Sequence, residues 1–123
     1  MSEKYYYMPI PIGVYHYLNK IKDTDEYTIS DNVYKCCIVM GFLVYKWNLE
    51  KPKSFLCTSN FLVKRTYINE TSIKRIMPFL AKLGLIAIWY DDSGQRHVSI
   101  NEEKIDQLDD EYREYVDALK QNN

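Results

Sequence analysis

The sequence has few of the residues that build catalytic or metal centres. Among 123 residues it has two histidines and three cysteines, and it contains no glycine-rich phosphate loop, nucleophile elbow, H-E-x-x-H run or C-x-x-C pair. Cys36 and Cys37 lie in an apolar stretch, which favours buried free thiols over a redox pair or a zinc site. We therefore expect a protein that is not an enzyme and needs no metal or cofactor.

Long apolar runs and a secretion signal are also missing. No apolar run approaches the ~20 residues of a membrane-spanning helix, and the opening Met1-Ser2-Glu3-Lys4-Tyr5 lacks the basic and then apolar order of a signal peptide. We expect a cytoplasmic protein without a membrane partner. With 46% apolar residues, the chain is long enough for one domain with a hydrophobic core.

Charge is segregated along the chain, although the formal net charge is only -1. Residues 51–100 have eight Lys or Arg against three Asp or Glu, a net charge of +5, whereas residues 101–123 have three against eight, a net charge of -5. A local positive surface is what binding to phosphates requires. The middle of the chain is therefore where we expect a nucleic-acid surface.

An extended arm and two helices are predicted for the first part of the chain. Pro9 and Pro11 hold the aromatic segment at residues 5–12 out of helical space. Apolar residues then recur at helical spacing at Val14, Tyr17, Leu18 and Ile21. A second helix at residues 33–47 is apolar around most of its circumference, which predicts burial on several sides at the centre of the domain.

Two capped helices a few residues apart form the most informative segment. Thr58 or Ser59 caps the first, and Asn69 caps the second. Spacings of three and four predict that the second helix buries a stripe consisting of Ile73, Ile76, Leu80 and Leu83. Pro78 interrupts this helix, so we expect either a kink near Lys74 or two shorter helices.

A β-hairpin is predicted to follow. Gly84 ends the second capped helix, and two strands at residues 85–90 and 95–100 flank the turn sequence Asp91-Asp92-Ser93-Gly94.

The C-terminal segment has the pattern of an amphipathic helix with one narrow apolar seam. The seam follows a three-four alternation at Ile105, Leu108, Tyr112, Tyr115 and Leu119. We expect a domain with its N-terminal arm at residues 1–101 and this helix at residues 102–123. The seam either pairs with its twin in a homodimer, which we favour, or folds back on the domain.

These parts resemble a winged helix-turn-helix domain, and more narrowly the winged-helix domains of plasmid and phage replication initiators and of replisome organisers. The residues that carry the resemblance are Thr71, Ile73, Lys74, Ile76, Leu80, Leu83-Gly84-Leu85-Ile86 and Arg96. The resemblance implies an α+β fold with a small β-wing, a recognition helix that begins at Asn69, and double-stranded DNA as the partner. Transcription regulators of the multiple-antibiotic-resistance type share the Leu-Gly-Leu-Ile signature. Pro78 and Asp91-Asp92 depart from the pattern.

The candidate DNA-binding residues lie on the two capped helices and on the second strand of the wing. Contacts to base edges and phosphates are predicted for the first turns of the recognition helix, at Thr71, Ser72, Lys74 and Arg75. Contacts to the DNA backbone are predicted for Lys64, Arg65, Arg96 and His97. The competing interpretation of these charges is an ordinary solvated helix face.

The sequence thus favours a sequence-specific DNA-binding protein of a phage or mobile element. Its resemblance implies a role in replication initiation, with replication proteins as further partners. A transcription regulator is the first alternative. The second is a winged-helix module that binds another protein through the same surface.

Overall fold

Five α-helices and three β-strands make up the part of the chain that the computed structural model describes, residues 11–22, 33–50 and 54–122. In chain order they are α1 (Ile12–Ile21), α2 (Val33–Glu50), β1 (Phe55–Leu56), α3 (Ser59–Thr66), α4 (Glu70–Lys82), β2 (Ile86–Tyr90), β3 (Arg96–Ile100) and α5 (Glu102–Gln121). The fold is α+β, as predicted. Residues 5–10 of the predicted arm lie outside the described residues. Among the helices of the described residues, none is both long and apolar enough to span a membrane.

Helix α2 lies at the centre of the hydrophobic core. Its side chains are at most 1% exposed at Cys36, Val39, Met40 and Leu43. Helices α1 and α3 and strand β3 pack around it. A helix that is apolar on most sides needs partners on several sides, and the structure confirms the central position that the sequence predicted for this segment.

Side-chain caps start α3 and α4 at residues that the sequence indicated. Thr58 Oγ1 accepts a hydrogen bond from the backbone N–H three residues later at 3.1 Å, and Asn69 Oδ1 does the same at 2.8 Å. Each cap satisfies an amide that has no partner in the first helical turn. Between the helices, Tyr67 adopts a left-handed conformation with φ +62°, and its N–H donates to the carbonyl oxygen of Val63.

One side of α4 is buried against the core, and the buried residues of the helix are Ser72, Ile73, Ile76, Met77 and Leu80. Leu83, just beyond the helix, is also buried. Pro78 lies on the exposed side of a helix that runs unbroken from Glu70 to Lys82, so the predicted alternative of two shorter helices is excluded. The carbonyl of Lys74, which loses its helical donor to Pro78, is on the side where water can replace it.

Strand β3 lies between β1 and β2 in an antiparallel sheet. Phe55, Val98 and Ile88 are aligned across the three strands on the face that meets the core. Leu56, His97 and Trp89 are aligned on the outer face. The two faces arise because successive side chains of a strand point to opposite sides. The antiparallel pairing of β2 with β3 confirms the predicted hairpin.

The C-terminal helix α5 packs against α1, and Gly13 lies at the crossing. Its N–H donates to Asp109 Oδ1 at 3.2 Å. A Cβ atom at Gly13 would lie 2.6 Å from the amide nitrogen of Asp109 and 2.7 Å from the carbonyl carbon of Leu108. Leu108 itself is only 2% exposed. The two helix backbones therefore approach as closely as only glycine permits.

Replacing Gly13 with Ala should destabilise the protein by about 1–3 kcal/mol, because the new methyl group meets backbone atoms that cannot rotate away. At an open helix position the same change would stabilise the protein by up to ~1 kcal/mol. The sign of the change in the free energy of unfolding therefore shows whether Gly13 lies at a close helix crossing. Urea unfolding measures the difference, with Lys20→Ala on the exposed side of α1 as the control. A G13A protein as stable as the wild type would contradict the crossing of α1 and α5.

Candidate nucleic-acid interface

The side of α4 opposite its buried stripe is open, and three of its four charged residues are cations. Its exposed residues are Glu70, Thr71, Lys74, Arg75, Pro78 and Lys82. The side chain of Lys74 is 65% exposed and lies 3.6 Å from the Glu70 carboxylate. An exposed pair one helical turn apart is held weakly, so Lys74 can exchange this partner for a phosphate. Arg75 has no acidic residue three or four positions away on the helix.

Helix α3 adds two exposed cations at its end, Lys64 and Arg65. The guanidinium of Arg65 lies over the Phe61 ring at 5.4 Å, and Lys46 of α2 lies over the same ring at 5.3 Å. Lys46 is a cation that sequence reasoning did not include. It is far from α3 along the chain, and no local pattern signals that the two helices share a ring.

The charge of these elements is opposite to that of α5. Residues 59–83 have five Lys or Arg and one Glu, a net charge of +4, whereas residues 102–121 have three Lys or Arg against eight Asp or Glu. Helix α5 packs on α1, and Lys74, Arg75 and Lys82 of α4 are exposed. The acidic helix therefore leaves the cations of α4 open to solvent.

Ser72 is placed differently from its neighbours. It is 4% exposed and belongs to the buried side of α4. Its backbone N–H donates to the Asn69 cap. Of the four residues predicted on the recognition helix, Thr71, Lys74 and Arg75 thus share the open side, and Ser72 does not.

Arg96 links the hairpin to the start of α3. Its Nε donates to the carbonyl oxygen of Cys57 at 2.9 Å, and Nη2 donates to Ser59 Oγ at 3.3 Å. The N–H of Cys57 in turn donates to the carbonyl oxygen of Arg96. This guanidinium is half-buried, and two of its N–H groups donate hydrogen bonds within the protein.

His97 is likewise bound within the hairpin. Its ring stacks on Trp89 with centroids 4.1 Å apart and an angle of 9° between the planes. Its Nε2 lies 2.8 Å from Asp91 Oδ2. The other carboxylate oxygen of Asp91 accepts from the N–H and hydroxyl of Ser93 and from the N–H of Gln95. One of the two acidic groups at the tip of the hairpin is therefore used to close the turn.

These hydrogen bonds favour the ionised carboxylate. The contacts from Ser93, then from His97 and Gln95, hold the pKa of Asp91 well below its ordinary value. The negative charge at the tip that stays open to solvent is that of Asp92.

Two exposed tyrosines flank these elements and were not predicted as contact residues. Tyr67, in the turn between α3 and α4, is 94% exposed, and Tyr90, at the end of β2, is 64% exposed. No sequence signal marks them, because tyrosines at other described positions, such as Tyr17 and Tyr45, are half-buried. Only the direction of the backbone at each position decides the exposure.

The predicted dimerisation seam divides into two parts. Ile105 and Leu108 pack into the core of the same chain, and Tyr112 lies against His16 of α1 with ring centroids 5.4 Å apart. Tyr115 also contacts His16, with ring centroids 4.5 Å apart, but is 48% exposed, and Leu119 is 47% exposed. The first half of the seam thus packs against its own chain, which is the second of the two alternatives that the sequence left open.

The cysteines are free thiols in the described part of the chain. Burial raises the pKa of Cys36 to about 12, and it raises that of Cys57 to about 11 against the opposing effect of Arg96. Cys37 is half-buried, and burial raises its pKa to about 11. All three are protonated at neutral pH and poorly nucleophilic.

Comparison of the chain with protein-family models, with curated proteins and with solved structures finds no match. The residues and their geometry are therefore the basis for a functional proposal.

Replacing Asp91 with Asn should weaken the hairpin in a pH-dependent way. The folded-state pKa of Asp91 lies below the ordinary 3.8, so its charge stabilises the fold above that pH and this stabilisation is lost as the pH falls. The stability difference between wild type and D91N should be full at pH 7 and shrink below about pH 4.

Urea unfolding at pH 7 and pH 3, with hydrogen exchange at the amides of Ser93 and Gln95, tests this expectation. Asp92→Asn is the matched control, because Asp92 is exposed. Equal losses in the two variants at both pH values would contradict it.

Proposed function

We propose that the protein is a winged helix-turn-helix protein that binds double-stranded DNA, with α4 in the major groove. The observation that carries the proposal is the open cationic side of α4, which lies opposite a buried apolar stripe. The short turn between two capped helices and the antiparallel hairpin after them support it.

The first turns of α4 would meet the base edges. In a helix-turn-helix, residues near the N-terminus of the second helix reach into the groove. Thr71, Lys74 and Arg75 occupy such positions, and an arginine there can bind a guanine with two hydrogen bonds. Lys64 and Arg65, with Lys46 beside them, would bind the phosphates of the flanking strand.

The wing would play a smaller part than the sequence suggested. Arg96 and His97 are engaged in hydrogen bonds within the protein, and Asp92 adds a negative charge at the tip. We propose that the hairpin fixes the position of α3 and α4, with phosphate contacts concentrated on the helices.

Replication initiation in a phage or mobile element is the task that we propose for this DNA binding, with replication proteins as partners. It is supported by the resemblance carried by Thr71, Lys74 and the Leu83-Gly84-Leu85-Ile86 signature. Transcription regulation would use the same surface, and the identity of neighbouring genes would separate the two tasks.

A protein-binding module is the second candidate, and one observation favours it. Leu56 and Trp89 are 45% and 47% exposed and lie in line on the outer face of the sheet, with His97 between them. Exposed apolar side chains that are adjacent on one face are typical of contact surfaces between proteins. This face is separate from the open side of α4.

Replacing both Lys74 and Arg75 with Ala should weaken binding to duplex DNA at least about fivefold, or ~1 kcal/mol. The dependence of log K on log salt should also flatten by about 1–2, because phosphate contacts are lost. The double variant Arg113→Ala/Lys120→Ala on α5 is the control, since it removes the same charge. Gel shifts over a salt series with random and origin-derived duplexes measure both quantities. Equal losses in the two double variants would defeat the proposal.

We also propose that the exposed end of α5 pairs with its twin, which would match the two-fold symmetry common in DNA sites. Leu119 and the exposed part of Tyr115, whose ring also lies against His16, are left for this contact. Leu119→Arg should then convert a dimer to a monomer in sedimentation without loss of stability, because Leu119 lies outside the core. A wild-type protein that sediments as a monomer would end this proposal and leave DNA binding intact.

A further inference from the structure

Tyr67 has the one backbone conformation in the described residues that combines a positive φ with a side chain. Its φ of +62° and ψ of +17° lie in the left-handed region. There the Cβ atom crowds the following carbonyl oxygen, so glycine is the ordinary residue and a bulky side chain is an outlier.

The turn requires this conformation whatever the side chain is. The N–H of Tyr67 closes the last turn of α3 on the carbonyl oxygen of Val63 at 2.9 Å. Thr66 Oγ1 donates to the carbonyl oxygen of Leu62 and accepts from the N–H of Ile68. Ile68 must then turn into the core, where it is 6% exposed. Glycine at position 67 would satisfy all of these bonds without strain.

The phenol ring does nothing within the fold that would offset the strain. It is 94% exposed, the highest exposure of any large apolar or aromatic side chain in the described residues. A strained residue that packs on nothing in its own chain indicates a contact outside the chain.

Its surroundings indicate what that contact is. Tyr67 follows Lys64 and Arg65 by three and two residues, and the open side of α4 begins at Glu70 and Thr71. A tyrosine hydroxyl is one of the groups that bind phosphate oxygens in protein–DNA complexes. Its ring has two rotatable bonds, so little entropy is lost when it is immobilised against a sugar.

We propose that Tyr67 is a DNA-contact residue, whose hydroxyl donates to a phosphate oxygen and whose ring lies against the sugar-phosphate backbone beside the groove that α4 enters. The inference rests on the proposed function, since it names a further contact of the same surface. It separates stability from binding: the Cβ atom strains the free protein, and the ring acts only in the complex.

Three substitutions test it. Tyr67→Gly should raise the melting temperature by roughly 3 °C because the strain is relieved, and Tyr67→Ala should leave it near the wild-type value because the Cβ atom remains. Both should bind duplex DNA roughly tenfold more weakly, and Tyr67→Phe, which lacks only the hydroxyl, roughly threefold. In all three the salt slope should stay as in the wild type, because no cation is removed.

The control is Tyr34→Ala, an exposed tyrosine on α2 whose hydroxyl lies 3.5 Å from that of Tyr15 on α1, which should bind as the wild type does. If Lys74→Ala/Arg75→Ala binds weakly while the Tyr67 variants bind normally, this inference is wrong and the proposed function stands. If the wild type binds no duplex, both are wrong. A Tyr67→Gly protein less stable than the wild type would overturn the argument from strain and with it the inference.

Discussion

The burial of one side of α4 is the constraint on which the rest of this structure depends. Ile73, Met77 and Leu80 are fully buried, and Ile76 nearly so. A buried stripe of four apolar side chains contributes several kcal/mol, enough to fix the rotation of the helix about its axis. Once that rotation is fixed, the residues at the intervening positions must face solvent. The cationic surface is thus a consequence of core packing.

The connection between α3 and α4 is set by backbone groups that need partners. Asn69 satisfies an amide at the start of α4, Thr66 bridges the end of α3, and the N–H of Tyr67 completes the last turn. Unsatisfied amides in so short a turn would each destabilise it. Because these bonds leave only a left-handed conformation for position 67, the turn holds the two helices in one relative position.

The hairpin is tied to α3, and α5 is tied to α1. Arg96 joins the hairpin to Cys57 and Ser59 at the start of α3, which explains why a cation predicted to contact DNA is half-buried. The crossing of α1 and α5 at Gly13 fixes the acidic helix on α1, and the Asn101 side chain at its start donates to the carbonyl oxygen of Gly84, just after α4. The cations of α4 nevertheless stay exposed.

The sequence by itself determined the helices, the caps at Thr58 and Asn69, the hairpin and the buried stripe of α4, because spacing, capping and turn signals act over a few residues. Only the tertiary structure decided that Ser72 faces inward, that Arg96 and His97 bond within the protein, and that half of the α5 seam packs on α1. The contacts of Arg96 and of the α5 seam join residues far apart in the chain. The burial of Ser72 and the partners of His97 depend on how α4 packs and on how the hairpin strands pair. Local pattern can assign a residue to a helix face or a strand, but the partner that a side chain finds is set by which elements pack together.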